Sequence, residues 1–369
     1  MQQISNVNFF QNNQLESGKT LSINNGIISK IADQSPIKID KTHASGKIFV
    51  PGFIDLQIYG AAGKLFSAEP TVESLEIIEN QLLREGTTGF LACLATNTPE
   101  VFQTCIETAK AYRTKARNFL GLHLEGPFLN AKRAGAHVQE YIRKATLDEI
   151  KQLLDFGDGV IKMMTIAAEL QDDEVINYLV DNGVIVSLGH SDATFDEANA
   201  AYAKGLQTTT HLFNAMSPIH HRNPGIPTAV FNHKKAMASI IADGQHVDFE
   251  VVKFAKRILK ERLFLITDAV TACTNGPYQH IAKGNKYVMP DGTLSGSSLT
   301  MLKAVKNCVD HCDIDLNEAL KMATQYPAKL LGMNQFIGAI ATGRQANLLS
   351  IDEDFNLKTV LFKGDEVPI

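Results

Sequence analysis

The sequence predicts an α/β protein: a TIM-type (β/α)8 barrel with a small β-sandwich domain built from both chain termini. Three observations predict it. Between residues 48 and 334, apolar stretches rich in Val, Ile and Leu recur at regular intervals, most of them followed by an amphipathic helical stretch. Those apolar stretches do not alternate with polar residues, as expected of parallel strands covered on both faces. Before and after this region the pattern changes to short alternating segments broken by turn residues.

The elements follow in order. Within residues 1–47, KTLSINNGIISKIA reads as two strands around Asn24-Asn25-Gly26, a hairpin pattern. Barrel strands are expected at Ile48–Ile58, Thr88–Ala95, Phe119–Leu124, Val160–Ile166, Val184–Leu188, Thr208–His211, Ala238–Ala242 and Leu263–Thr267. VESLEIIENQLLREG and DDEVINYLVDNG are amphipathic helices, each stopped by a Gly. Within residues 335–369, ANLLSIDEDFNLKTVLFKGDEV reads as two or three more short strands. Neither terminal piece is long enough to hold a core alone, so the two are expected to join. A doubly wound open sheet is the competing architecture. It favours a Gly-rich loop after the first strand, and GAAG at residues 60–63 does not match GxGxxG.

Composition narrows the function classes. An apolar content of 44% with 20% charge over 369 residues is ordinary for a globular protein with a large core. A net charge of -5 gives no basic stripe, so no nucleic-acid partner is expected. No apolar run approaches the length of a membrane span, and MQQISNVNFFQNNQ has no basic n-region or long apolar h-region. The five cysteines are odd in number, and their spacings fit neither a zinc ribbon nor a disulfide framework. A reduced, cytoplasmic protein is expected. Cys308 and Cys312, four apart, read as buried core thiols rather than a soft-metal site.

In such a barrel the chemistry sits at the C-terminal strand ends. Those ends carry His123 and Glu125, His190, His211 and Asn214, Asp243 and His246, and Asp268. One His after a strand is usually a hydrogen-bonded structural residue. Glu125, His190 and His211 together have the makeup of a catalytic metal site, two imidazoles and a carboxylate with a position left open. His123 lies deeper and is assigned a structural role. Asp268 reads either as a helix N-cap or as a general base beside an activated water, and the strand-end setting favours the base. His220 to Gly225 forms a cationic loop in an acidic protein, where Arg222 suits a phosphate; a solvated loop is the bland alternative. His137, in KRAGAHVQEY, could join it. In LSGSSLTM, Ser297 or Ser298 reads as a helix N-cap, and Leu294 to Gly296 as a backbone contact to ligand.

The stretches PGFIDLQIYG, GLHLEGPFL, SLGHSDAT, THLFNAMSP, HRNPG, ADGQHVD, LITDAV, LSGSSLTM and GRQANLLSID resemble the N-acetylglucosamine-6-phosphate deacetylases of the amidohydrolase superfamily, in order and over nearly the whole chain. The resemblance implies hydrolysis of the acetamide of N-acetylglucosamine 6-phosphate to glucosamine 6-phosphate and acetate. It implies Glu125, His190 and His211 as ligands of one divalent metal, Zn2+ or Fe2+, and Asp268 as catalytic base and acid. It implies Ala136, His137, Asn214, Ala215, Leu294, Ser295 and Gly296 at the substrate. Arg222 and His246 are implied at the phosphate, some of these groups reaching in from a neighbouring subunit, hence a homodimer. In the superfamily the first strand often ends His-x-His and binds a second metal. Here those positions are Gln57 and Tyr59, which implies a single metal. Two rivals stand beside this reading: a deacetylase for the galactosamine epimer, and a catalytically inactive barrel that senses a sugar phosphate.

Overall fold

The computed structural model describes residues 2–33 and 47–369; residues 34–46 of the expected terminal domain lie outside the described residues. Eight strands hydrogen-bond in sequence order: Phe53–Ile58, Thr87–Ala95, Phe119–Glu125, Ile161–Ile166, Ile185–Leu188, Thr208–Thr209, Met237–Ile240 and Leu263–Leu265. Every pairing among them is parallel. The ring closes just past the strand ends. Asp268 N donates to Gln57 O at 3.0 Å and Tyr59 N donates to Ala269 O at 2.9 Å. The barrel strands are almost wholly buried, which explains their unbroken apolar character. The helices outside them start where the sequence places a cap. Thr71, Thr98, Thr146, Thr194, Asp248 and Thr300 each accept a backbone N–H of the first turn.

The first expected strand, Ile48–Ile58, is two strands in two sheets. Ile48–Pro51 pairs with Leu348–Ile351 and with Asn8–Phe9, whereas Phe53–Ile58 pairs with the second barrel strand. Gly52 makes the crossing possible. Its N–H donates to Asn347 O at 2.9 Å, and a Cβ there would stand 2.1 Å from Thr88 Oγ1. Both halves are buried, so the apolar run gives no sign of the break.

The terminal segments do join. Seven strands form one sheet in the order Asp365–Val367, Leu357–Phe362, Leu348–Ile351, Ile48–Pro51, Gln2–Gln11, Gln14–Asn24, Ile27–Asp33. Its core of Val7, Phe9, Leu21, Ile28, Phe49 and Leu348 is separate from that of the barrel. The Asn25-Gly26 turn has φ of 49° and 76°, the paired left-handed conformations of a tight hairpin.

Two small additions roof the C-terminal face: the hairpin Gly60–Ala61 with Lys64–Leu65, and the three strands Ile281–Lys283, Lys286–Val288 and Leu294–Ser297. The last of these corrects the reading of Ser297 and Ser298 as helix caps. Thr300 caps the following helix, while Ser297 Oγ donates to Thr267 O and Ser298 Oγ donates to Asn285 O. Among the described residues no helix is long and apolar enough to cross a membrane.

Candidate active site

An open cavity lies over the C-terminal ends of the barrel strands. Glu125 is the last residue of the third strand; His190, His211 and Asp268 stand a few residues past the fifth, sixth and eighth. All four line the cavity. His190, His211 and Asp268 have φ of 45°, 31° and 55°, a left-handed backbone that costs a non-glycine residue energy. Three such residues past the fifth, sixth and eighth strands mark a place where side-chain direction is held at the expense of backbone comfort.

Glu125 is the hub. His211 Nε2 lies 3.0 Å and His190 Nε2 3.3 Å from its Oε1, and the two Nε2 atoms are 3.0 Å apart. His190 Nδ1 donates to Arg133 O at 2.9 Å, so the lone pair of the neutral ring is on Nε2 and aims at this cluster. Donor atoms sharing a tetrahedral divalent ion at about 2.0–2.1 Å stand about 3.3 Å from one another. The spacing found here fits that, so the residues suit a divalent cation. Glu125, His137 and His190 also offer atoms all within 4.8 Å of one another. His137, however, accepts the Thr96 N–H at Nδ1 (3.2 Å), which places its proton on Nε2, 3.2 Å from Glu125 Oε2. A protonated nitrogen donates; it does not ligate. His190 therefore presents a lone pair to the cluster, and His211 Nε2 stands 3.0 Å from it on the same oxygen.

Gln57 and Tyr59 occupy the first-strand position beside this cluster. Gln57 Nε2 faces Asp268 Oδ1 at 2.7 Å, Glu125 Oε1 at 3.0 Å and Tyr59 Oη at 3.0 Å. With two carboxylate oxygens in reach, the amide must present its NH2 group. Tyr59 Oη donates to Glu125 Oε2. Behind them Asp55 accepts the backbone N–H groups of Gln57 and Thr267 at 3.2 and 3.3 Å, and the Thr267 hydroxyl.

The protonation states follow from burial and charge. Burial, with a contribution from neighbouring His190, lowers His137 to about 4 and keeps it neutral. Burial would also lower His211, but its bond to Glu125 and the charges of Glu125 and Asp268 raise it. Burial raises Asp268 above the ordinary carboxylate range, with Glu125 adding to the rise and His211 opposing it. His123 does not reach the cavity. Its Nδ1 bonds Leu56 O at 3.0 Å and its Nε2 bonds Thr165 Oγ1 at 2.7 Å, so it ties the barrel interior together.

Comparison with known proteins gives the family. Residues 48–367 match the model of the Amidohydrolase family. An N-acetylglucosamine-6-phosphate deacetylase of Haemophilus influenzae is 36% identical, over 93% of this chain and 93% of that one. The human protein of the same name is 33% identical, over 89% of this chain and 85% of that one. The chain belongs to the N-acetylglucosamine-6-phosphate deacetylases of the amidohydrolase family. A crystal structure of the Pasteurella multocida member of this family superposes with a TM-score of 0.93 at 34% identity, covering 99% of this chain and 98% of that one. A Mycobacterium smegmatis member, solved in complex with N-acetyl-D-glucosamine-6-phosphate, gives 0.92 at 30% identity, covering 100% and 99%.

Most of the other expected residues line the same cavity of this deacetylase family member: Ala136, His137, Asn214, Ala215, His246, Leu294, Ser295 and Gly296. Asp243 Oδ2 accepts from His246 Nδ1 at 2.7 Å, which leaves Nε2 for a ligand. Arg222 is different. It is exposed on the loop after the sixth strand and is not among the residues lining its own chain's cavity. The cavity also holds residues that sequence reasoning missed: Leu65, Ser67, Ala95, Tyr278 and His280. The only signal for them was proximity to strand ends one, two and eight. Tyr278 carries none locally; its hydroxyl is anchored on Thr96 O, 182 residues away.

Proposed function

We propose that this chain hydrolyses the acetamide of N-acetyl-D-glucosamine 6-phosphate to D-glucosamine 6-phosphate and acetate, in amino-sugar catabolism. One divalent cation, Zn2+ or Fe2+, is held by Glu125, His190 and His211. The observation that carries this reading is the convergence of His190 Nε2 and His211 Nε2 on Glu125 Oε1, at 3.3 and 3.0 Å, in a cavity shared with the buried carboxylate Asp268. A barrel that only sensed a sugar phosphate would have no use for a base at that place.

When bound, the cation supplies Lewis acidity, acidifying water and polarising an amide carbonyl. Asp268 takes the proton of the attacking water and delivers it to the departing nitrogen, which without it is a very poor leaving group. Gln57 holds Asp268 in line through its 2.7 Å contact. His137, neutral and protonated at Nε2, donates to the carbonyl oxygen as charge gathers there. Ala136, Asn214, Ala215 and Leu294 to Gly296 hold the sugar. His246 and Arg222 take the phosphate, and that remote binding energy positions the amide. Arg222, exposed on its loop, would serve the neighbouring subunit of a homodimer. Five free cysteines support a reduced, cytoplasmic setting.

Acetate release from N-acetylglucosamine 6-phosphate, measured with metal content on the same sample, tests the reading. Acetate with about one equivalent of metal per chain is the expected result for a single three-ligand site. Two tightly held equivalents refute the single site. No metal, with no activity restored by zinc or ferrous iron, leaves the inactive barrel. Faster turnover of the galactosamine epimer reassigns the substrate.

A further inference from the structure

The cavity has two unlike walls. The fifth to seventh strands and the loops after them bring His190, His211, Asn214 and His246. The wall between the first, second and eighth strands is mainly apolar, with Ser67 and His280 as its polar members. Tyr59, Leu65, Ala95 and Tyr278 line it, and all four belong to an apolar cluster distinct from the barrel core. The proposed chemistry makes no use of this wall. Hydroxyls, phosphate and the amide itself need hydrogen-bond partners when buried, so an apolar wall is the wrong place for any of them. In a phosphorylated N-acyl amino sugar, the acyl carbon chain is the one part with no polar atom.

The wall also lies in the right direction. It begins at Glu125 Oε2, which accepts from Tyr59 Oη and, at 3.2 Å, from His137 Nε2. The imidazoles of His190 and His211 gather at the other oxygen, Oε1. An amide carbon has three substituents. With its oxygen at the donor cluster and its nitrogen leading to a sugar on the polar wall, the third is left facing the apolar one.

The wall is stiff. Tyr59 has its hydroxyl committed to Glu125 and Gln57, and Tyr278 donates its own to Thr96 O at 2.5 Å. Leu65 is held by the hairpin that pairs it with Gly60, and Phe66 N donates to Tyr59 O at 3.0 Å. Gly60 itself admits no side chain, since a Cβ would stand 2.3 Å from Lys64 O. Such walls do not retreat for a longer chain.

We propose that Tyr59, Leu65, Ala95 and Tyr278 form the acyl pocket and set the acyl chain length that is accepted, a specificity that deepens the deacetylase reading and rests on it. The test is kcat/KM for the N-formyl, N-acetyl, N-propionyl and N-butyryl glucosamine 6-phosphates. Each methylene beyond acetyl is expected to cost about 10-fold or more, the usual scale for one methylene in a shaped pocket. Leu65→Ala is expected to raise propionyl relative to acetyl about 10-fold, and Ala95→Val to lower acetyl relative to formyl by a similar factor. Affinity for glucosamine 6-phosphate, which has no acyl group, should stay unchanged in both and shows that the site is folded. Should Leu65→Ala fail to fold, Ala95→Val decides alone. Variants that change all four substrates by one common factor, or a wild type that accepts butyryl as readily as acetyl, overturn the acyl pocket. Absence of any acetate release from the wild type defeats instead the deacetylase reading on which the pocket rests.

Discussion

The strand ends that supply His190 and His211 face the strand end that supplies Gln57 and Tyr59 across one carboxylate, and they bring it different chemistry. Toward Glu125 Oε1, the fifth and sixth strands send two imidazole nitrogens, one of them with its lone pair fixed by the Arg133 carbonyl. From the first strand come an amide NH2, to the same Oε1, and a phenol, to Oε2, both hydrogen-bond donors. Lone pairs hold a cation; donors hold an anion. On the proposed reading, the cation lies on one side and the other is a scaffold that fixes Glu125 and Asp268. On that reading, the position where the resemblance implies metal ligands in other members serves here to orient Glu125 and Asp268.

The sharpest way to break this division is Asp268→Asn. Asparagine keeps the shape and the contact to Gln57 but cannot take a proton. Turnover is expected to fall by about 100- to 10,000-fold with metal content unchanged. Half the wild-type rate would mean that the base lies elsewhere.

The scaffold side has a stability signature. Burial raises Asp55 to about 7, against the lowering effect of its bonds to Thr267 and Gln57. Unfolded, the same group titrates near 3.9. Between those values the folded protein keeps a proton that the unfolded chain has released. Stability from this group is therefore full below about pH 4 and is lost as pH rises through 7. Three pKa units correspond to roughly 4 kcal/mol as an upper figure. Asp55→Asn should flatten the decline of denaturant-unfolding stability between about pH 4 and 7 relative to wild type. Parallel curves for the two proteins would remove Asp55 as the source.

How far the sequence could be read depends on whether a feature is local. Parallel strands covered on both faces announce themselves as apolar runs, and Glu125, His190, His211 and Asp268 stood out because each closes one. The same rule hid the break at Gly52, since both halves of Ile48–Ile58 are buried. The sixth strand is only Thr208–Thr209, and His211 just past it has a left-handed backbone. Ser297 and Ser298 looked like caps because small polar residues before a helix usually are; here a strand pairing with the segment before it intervenes. The apolar wall was illegible. Leu65, Ala95 and Tyr278 come from three distant segments, and only the closed ring brings them together.

On the polar side, Arg222→Ala tests the phosphate assignment. KM for the phosphorylated sugar is expected to rise about 10- to 150-fold, the worth of a charge-assisted contact, and KM for unphosphorylated N-acetylglucosamine far less. Equal changes for both sugars would return Arg222 to a solvated loop.

The smallest expected effect separates the two uses of one residue. Tyr59 gives its hydroxyl to Glu125 Oε2 and its ring to the apolar wall. Tyr59→Phe removes the first and keeps the second. Without that donor, His137 Nε2 at 3.2 Å still holds Oε2, so Glu125 loses part of its orientation and none of its charge. Loss of one partner behind a metal ligand typically weakens the metal about 10-fold. Competition with a chelator should show that loss, at an unchanged stoichiometry of about one ion for a three-ligand site. Preference among acyl chains should not move, because the ring still fills its place. An unchanged metal affinity would deny the hydroxyl its positioning role. A second bound equivalent would show instead that the phenol had been excluding a cation from the donor side, and the division of Glu125 into a ligand face and a scaffold face would then belong to Tyr59 alone.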